Sequence, residues 1–90
     1  MANKTKSVFY VSIYPNPTKN KITLLVEESA INENKHYQIN IYDIQGKLMQ
    51  GYTTNSINSY EIDIQSLPVG IYNVNISTGH WTKIIKFIKE

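Results

Sequence analysis

Apolar and polar side chains alternate along most of this chain with a period of two. In 37–43, Tyr37, Ile39 and Ile41 fall on one side, and Gln38, Asn40 and Tyr42 fall on the other. Tyr60, Ile62 and Ile64 alternate in the same way with Glu61 and Asp63. So do Tyr72, Val74 and Ile76 with Asn73 and Asn75, and Ile22, Leu24 and Val26 with Thr23 and Glu27. A strand puts successive side chains on opposite faces, so this pattern predicts strands with one face buried and one wet. The stretches are rich in Ile, Val, Tyr and Thr and are separated by Pro, Gly, Asn and Ser. Seven strands are expected, over 8–14, 21–28, 37–43, 47–53, 59–64, 70–77 and 82–89. The last is the hardest to read, because lysines at every third position also fit the polar stripe of an amphipathic helix. Its shortness, its β-branched content and the hairpin signal before it favour a strand.

The connections carry their own chemistry. Asp43-Ile44-Gln45-Gly46-Lys47 places a glycine where a short hairpin needs positive φ, with the Asp43 side chain as the acceptor that closes the turn. Thr78-Gly79-His80 predicts a similar turn before the last strand. The longer polar joins, 29–36 and 54–58, are expected to cross between sheets. Seven short strands with no helical segment long enough to cover a sheet predict an all-β fold, a seven-stranded antiparallel immunoglobulin-like β-sandwich. The Cys pair and mid-chain Trp of antibody domains are missing, and Trp81 sits too late in the chain for that core position.

Composition narrows the functions available. Ninety residues suffice for one core,. The absence of cysteine excludes a disulfide scaffold, a thiolate zinc site and a cysteine nucleophile,. The net charge is +2, and all nine basic residues are lysines. Nucleic-acid readers lean on arginine and on a larger clustered surplus, so a nucleic-acid partner is not expected. No apolar run reaches the ~20 residues of a membrane-spanning helix, and residues 1–7 show no export signal. His36 and His80 fall in predicted loops without carboxylates at ligand spacing. Glu61 and Asp63 share an exposed strand face that amounts to half a calcium site, without the Asp-rich loop to complete it. No nucleophile, phosphate-cradling or triad motif is present, so no enzyme activity and no cofactor are expected. Tyr10, Tyr14, Tyr42 and Tyr52 are the candidates for an aromatic sugar platform, although tyrosines wedged half-buried account for them equally.

Three motifs stand in order above this background. Tyr14-Pro15-Asn16-Pro17 precedes the second strand, Asp43 to Lys47 forms the hairpin, and Leu67-Pro68-Val69-Gly70-Ile71-Tyr72 opens the sixth strand, before the lysine-rich end Lys83-Ile84-Ile85-Lys86-Phe87-Ile88-Lys89-Glu90. In this order and at these spacings the chain resembles the type A C-terminal sorting domain of cargo proteins of the type IX secretion system (Por secretion system) of Gram-negative bacteria, from about residue 11 to residue 90.

Each motif also has a local reading. Pro15 and Pro17 fix φ on both sides of Asn16 and make a rigid turn. Leu67 plugs the end of the core, Pro68 stiffens the approach, and Gly70 allows close backbone passage before Tyr72 turns inward. The last strand reads as a sheet edge that offers unpaired backbone groups to another protein, or as an edge guarded by its lysines.

The resemblance implies more than these readings do. It implies a domain over residues 8–90, with 1–7 as linker or added residues, and a non-catalytic signal whose translocon-recognition residues are Gly70, Tyr72, Lys83, Lys86 and Lys89. It also implies an N-terminal passenger, recognition by the outer-membrane machinery, and removal by a sortase-like peptidase. The cargo would pass through the periplasm and end at the cell surface or outside, so Met1 reads as an artificial start or as the cut end of a longer parent. An adhesive or carbohydrate-binding module and a structural spacer of a surface enzyme are the rival readings. An open terminal edge also makes an edge-strand dimer possible.

Overall fold

The structure, a computed structural model, describes residues 9–28, 36–55, 58–79 and 81–90. Seven strands follow one another: β1 (Phe9–Tyr14), β2 (Lys21–Glu28), β3 (Tyr37–Asp43), β4 (Leu48–Thr54), β5 (Ser59–Asp63), β6 (Gly70–Ser77) and β7 (Thr82–Lys89). They agree with the alternation to within a residue at each end, and 82–89 is a strand. Parity explains this: with Phe87 and Lys89 buried, Ile84, Lys86 and Ile88 face outward, whereas a helix would scatter both sets,.

The strands form two antiparallel sheets, ordered β1-β2-β5 and β4-β3-β6-β7. The chain crosses between sheets after β2 and after β4, as the long polar joins predict, and again after β5, at a join where no crossing is expected; residues 29–35 and 56–57 within the first two joins lie outside the described residues. Ile22, Leu24, Ile39, Ile41, Val74, Ile76 and Phe87 meet between the sheets with no exposed surface. Burying each such side chain contributes about 1.5–3 kcal/mol. Tyr52 of β4 meets Tyr60 of β5 edge-on across the sandwich, with ring centres 6.1 Å apart. β1 lies against β7 on the opposite side.

Two glycine expectations need correction. Gly46 has φ +88°, as the turn requires, but Gly79 does not enter the left-handed region. The Thr78 amide donates to the Trp81 carbonyl, and the Thr78 hydroxyl accepts from the Trp81 amide, so side-chain capping replaces the backbone device. Nor does Gly70 mark a close approach. A methyl group there would meet Tyr72 no nearer than 3.8 Å, an ordinary contact. The tight position is Gly51, where it would come within 3.0 Å of the Asn40 side-chain oxygen. Asn40 is the partner of Gly51 across β3 and β4, and its amide is held between Gln38 and Tyr42.

Candidate functional site

Three of the six connections lie at one end of the sandwich, and each carries one of the three motifs. Residues 15–20 join β1 to β2, 44–47 join β3 to β4, and 64–69 join β5 to β6. Antiparallel register brings them together: Asp43 stands opposite Tyr72, and Gly70 opposite Lys89. The final residues of β7 reach the same place.

The hairpin turn forms as its residues predict. The Gly46 amide donates to the Asp43 carbonyl, and the Asp43 side chain accepts from the amides of Gln45 and Lys47, each at 2.9 Å. Lys47 itself is exposed. A register shift between Ile41 and Tyr42 absorbs the extra residue of the turn,.

The Leu67–Tyr72 motif is a corner. Leu67 is buried and plugs the core. The Tyr72 ring stacks on Phe87 at 5.4 Å, and its hydroxyl donates to the carbonyl of Pro68. Burial, and after it the Asp43 carboxylate, raises the Tyr72 phenol above its ordinary 10.0, which keeps the proton needed for that bond,. Lys89, whose resemblance-derived role suggests a solvent-facing ammonium, is instead only 8% exposed. Its Nζ donates to the Leu67 carbonyl at 2.8 Å. Strand parity makes this legible afterwards: Lys89 shares the inward face with Phe87, and its long stem lets the ammonium reach the open end of the core. Lys83 and Lys86 are exposed.

The first motif is more than a rigid turn. Residues 15–18 cross from the first sheet and lie along the outer edge of β7. Thr18 forms a parallel bridge with Lys89: the Thr18 amide donates to the Ile88 carbonyl at 2.9 Å, and the Thr18 carbonyl accepts from Glu90 at 2.7 Å. One step earlier, the Asn16 side chain repeats this pattern. Its Nδ2 donates to the Lys86 carbonyl at 3.1 Å, and its Oδ1 accepts from the Ile88 amide at 3.0 Å. Flanking prolines have no amide to donate, so a side-chain amide, one donor beside one acceptor, stands in for a strand residue. Both peptide bonds into these prolines are cis. The edge of β7 is therefore closed over its last residues, contrary to the expectation of a wholly open terminal edge.

Sequence reading missed Thr18. It is 2% exposed, and its hydroxyl donates to the Lys21 carbonyl at 2.6 Å. Nothing in a polar stretch marks such a residue, because its partners come from another part of the chain. The tyrosines named for a sugar platform are dispersed. Tyr10 and Tyr14 are exposed on β1, Tyr42 lies on the outer face of the other sheet, and Tyr52 faces Tyr60 inside. Trp81 packs edge-on against Tyr37 at the far end. Glu61 is paired with Lys21 at 3.2 Å, and among the described residues no group of three potential metal ligands gathers.

Comparison with known proteins agrees with the resemblance carried by the three motifs. The family model described as the secretion system C-terminal sorting domain matches residues 12–90. No curated protein matches the sequence. Among solved structures, that of dimeric latent PorU from Porphyromonas gingivalis superposes with a TM-score of 0.73 at 16% identity. The match covers 99% of this chain and 10% of that one, so the likeness concerns the fold of a small part of PorU. With its motifs gathered at one end and the family model spanning nearly its whole length, the chain belongs to the C-terminal sorting domains, the signals of type IX secretion.

Proposed function

We propose that this domain marks an exported passenger for the type IX outer-membrane translocon through the end of the sandwich that gathers the three motifs and the last residues of β7. The observation that carries the reading is this convergence: the connections 15–20 and 64–69, far apart in sequence, are hydrogen-bonded to the final strand and to each other, and the hairpin stands beside them through Asp43 opposite Tyr72. Lys86 would make the direct electrostatic contact, since its side chain is exposed on the stretch of β7 whose backbone the first motif meets; Lys83, also exposed, lies toward the far end of the strand. Tyr72, Gly70 and Lys89 would act through the shape they hold, two of them being buried. On this reading the passenger precedes the domain, crosses the periplasm, and loses the domain to a sortase-like peptidase outside. The domain itself performs no catalysis.

The sandwich is read here as immunoglobulin-like. Support comes from the order β1-β2-β5 facing β4-β3-β6-β7, and from Tyr72, whose hydroxyl bonds back to residue 68 at the β5–β6 corner, as the corner tyrosine of immunoglobulin domains does,. The dispersed tyrosines weigh against the sugar-binding alternative.

Fusing residues 8–90 behind an exported reporter, in a host with an active type IX system, tests the reading. Surface display is expected, and a reporter retained in the periplasm would sink it. Within that fusion, Lys86→Glu should lower display about tenfold without changing the melting temperature, because it reverses one exposed charge. Unchanged display would remove Lys86 from the recognition surface.

A further inference from the structure

An outer strand of an open sheet has backbone groups that any complementary strand can take, and β7 is such a strand,. Its outward-pointing residues are the even-numbered ones: the Lys86 carbonyl, both groups of Ile88 and the Glu90 amide are those met by residues 16 and 18. By the same parity, Thr82 and Ile84 point their backbone groups the same way, and among the described residues β7 pairs there with no strand other than β6. Ile84 and Ile88 are 63% and 43% exposed beside this edge.

We propose that residues 15–18 are a strap that guards β7 against pairing with a second copy of this chain, and that Asn16 is the residue on which the guard depends. The outward groups of Thr82, Ile84, Lys86 and Ile88 are self-complementary under a two-fold axis. Two antiparallel β7 strands can align Lys86 with Ile84, and Thr82 with Ile88. That register avoids setting Lys86 against its own copy, which like charges disfavour. It requires the Lys86 carbonyl and both Ile88 groups, and the strap occupies these. With the strap in place only the groups of Thr82 and Ile84 and the Lys86 amide remain, too short a ladder to hold two copies together.

Sedimentation of the 90-residue chain tests this. The parent is expected to be monomeric. Asn16→Asp keeps the shape but removes the donor and turns a carboxylate toward the Lys86 carbonyl; it should self-associate at least about tenfold more tightly than the parent. Adding Ile84→Pro should restore the monomer, since proline is tolerated where an edge amide points outward yet cannot donate to a partner. A folded Asn16→Asp chain that stays monomeric, a dimer indifferent to Ile84→Pro, or a parent already dimeric would each overturn the proposal. If Asn16→Asp does not melt cooperatively, Asn16→Ala bares the same two groups without adding charge and is read in the same way. Amide exchange on the parent gives a reading that needs no variant. Ile88 and Glu90 should be protected well beyond Ile84, and equal rates at all three would refute the guard. None of these measurements involves secretion, so their outcome is separate from that of the sorting assay.

Discussion

At the end of the sandwich that gathers Asn16, Asp43, Tyr72 and Lys89, side chains reach specific backbone groups: Asn16 and Lys89 those of distant segments, at Lys86, Ile88 and Leu67, and Asp43 and Tyr72 those of their own turn and corner, at Gln45, Lys47 and Pro68. At the opposite end the described residues include a different closure, Tyr37 edge-on against Trp81 with ring centres 6.2 Å apart. A hydrogen bond demands one atom type at one distance, whereas an aromatic lid demands only area and shape. The first end therefore writes itself into the sequence as motifs, and the second does not. Its residues read as ordinary members of β-rich stretches.

Substitutions can break this contrast. Phe87→Ala empties a fully buried site under the Tyr72 ring and should cost about 3–5 kcal/mol in denaturant unfolding,. Trp81→Ala removes a larger but half-buried ring and should cost about 2 kcal/mol,. Equal costs would mean that the far end is closed as tightly as the motif end.

Tyr72→Phe sharpens the comparison, since it removes one hydroxyl and leaves the ring. Loss of the bond to Pro68 should cost about 1–2 kcal/mol,. The same variant has a pH signature. The Tyr72 phenol is raised by burial and by Asp43, so the folded chain keeps a proton that the unfolded chain releases near 10.0. Its contribution is complete below that value and is lost as pH climbs through the folded value. Tyr72→Phe should therefore flatten the alkaline fall in stability. Some slope should remain, because Tyr52 is raised in the same direction by burial, then by Tyr60 and Asp63. An unaltered alkaline limb would show that the Tyr72 hydroxyl is not held as described.

The smallest expected effect separates the two turns. Gly46→Ala forces a methyl-bearing residue to φ +88° and should cost about 1 kcal/mol,. Gly79→Ala has open space and no left-handed backbone, so thermal melting should scarcely change. A penalty at Gly79 matching that at Gly46 would restore the symmetry that the sequence suggests.

What was legible beforehand was local. Period-two alternation placed β2, β3, β5 and β6, because which face a side chain takes depends only on parity along the strand, while β-branched content and the turn residues between stretches placed the others. The hairpin at Asp43 and Gly46 was equally readable, since a left-handed residue and an aspartate acceptor satisfy partners no more than four positions away. The plugging role of Leu67 followed from its place at a strand-free corner. Tertiary structure decided the rest. Asn16 meets β7 across more than 70 positions, Lys89 turns inward to a carbonyl 22 positions away, and Thr18 is buried by a strand that no neighbour in sequence announces. Gly70 and Gly79 look like Gly46 in sequence, yet only at Gly46 does the turn impose the left-handed backbone. Sequence alone could state which groups need partners; which distant groups arrive to satisfy them is settled only when two sheets pack and their connecting ends meet.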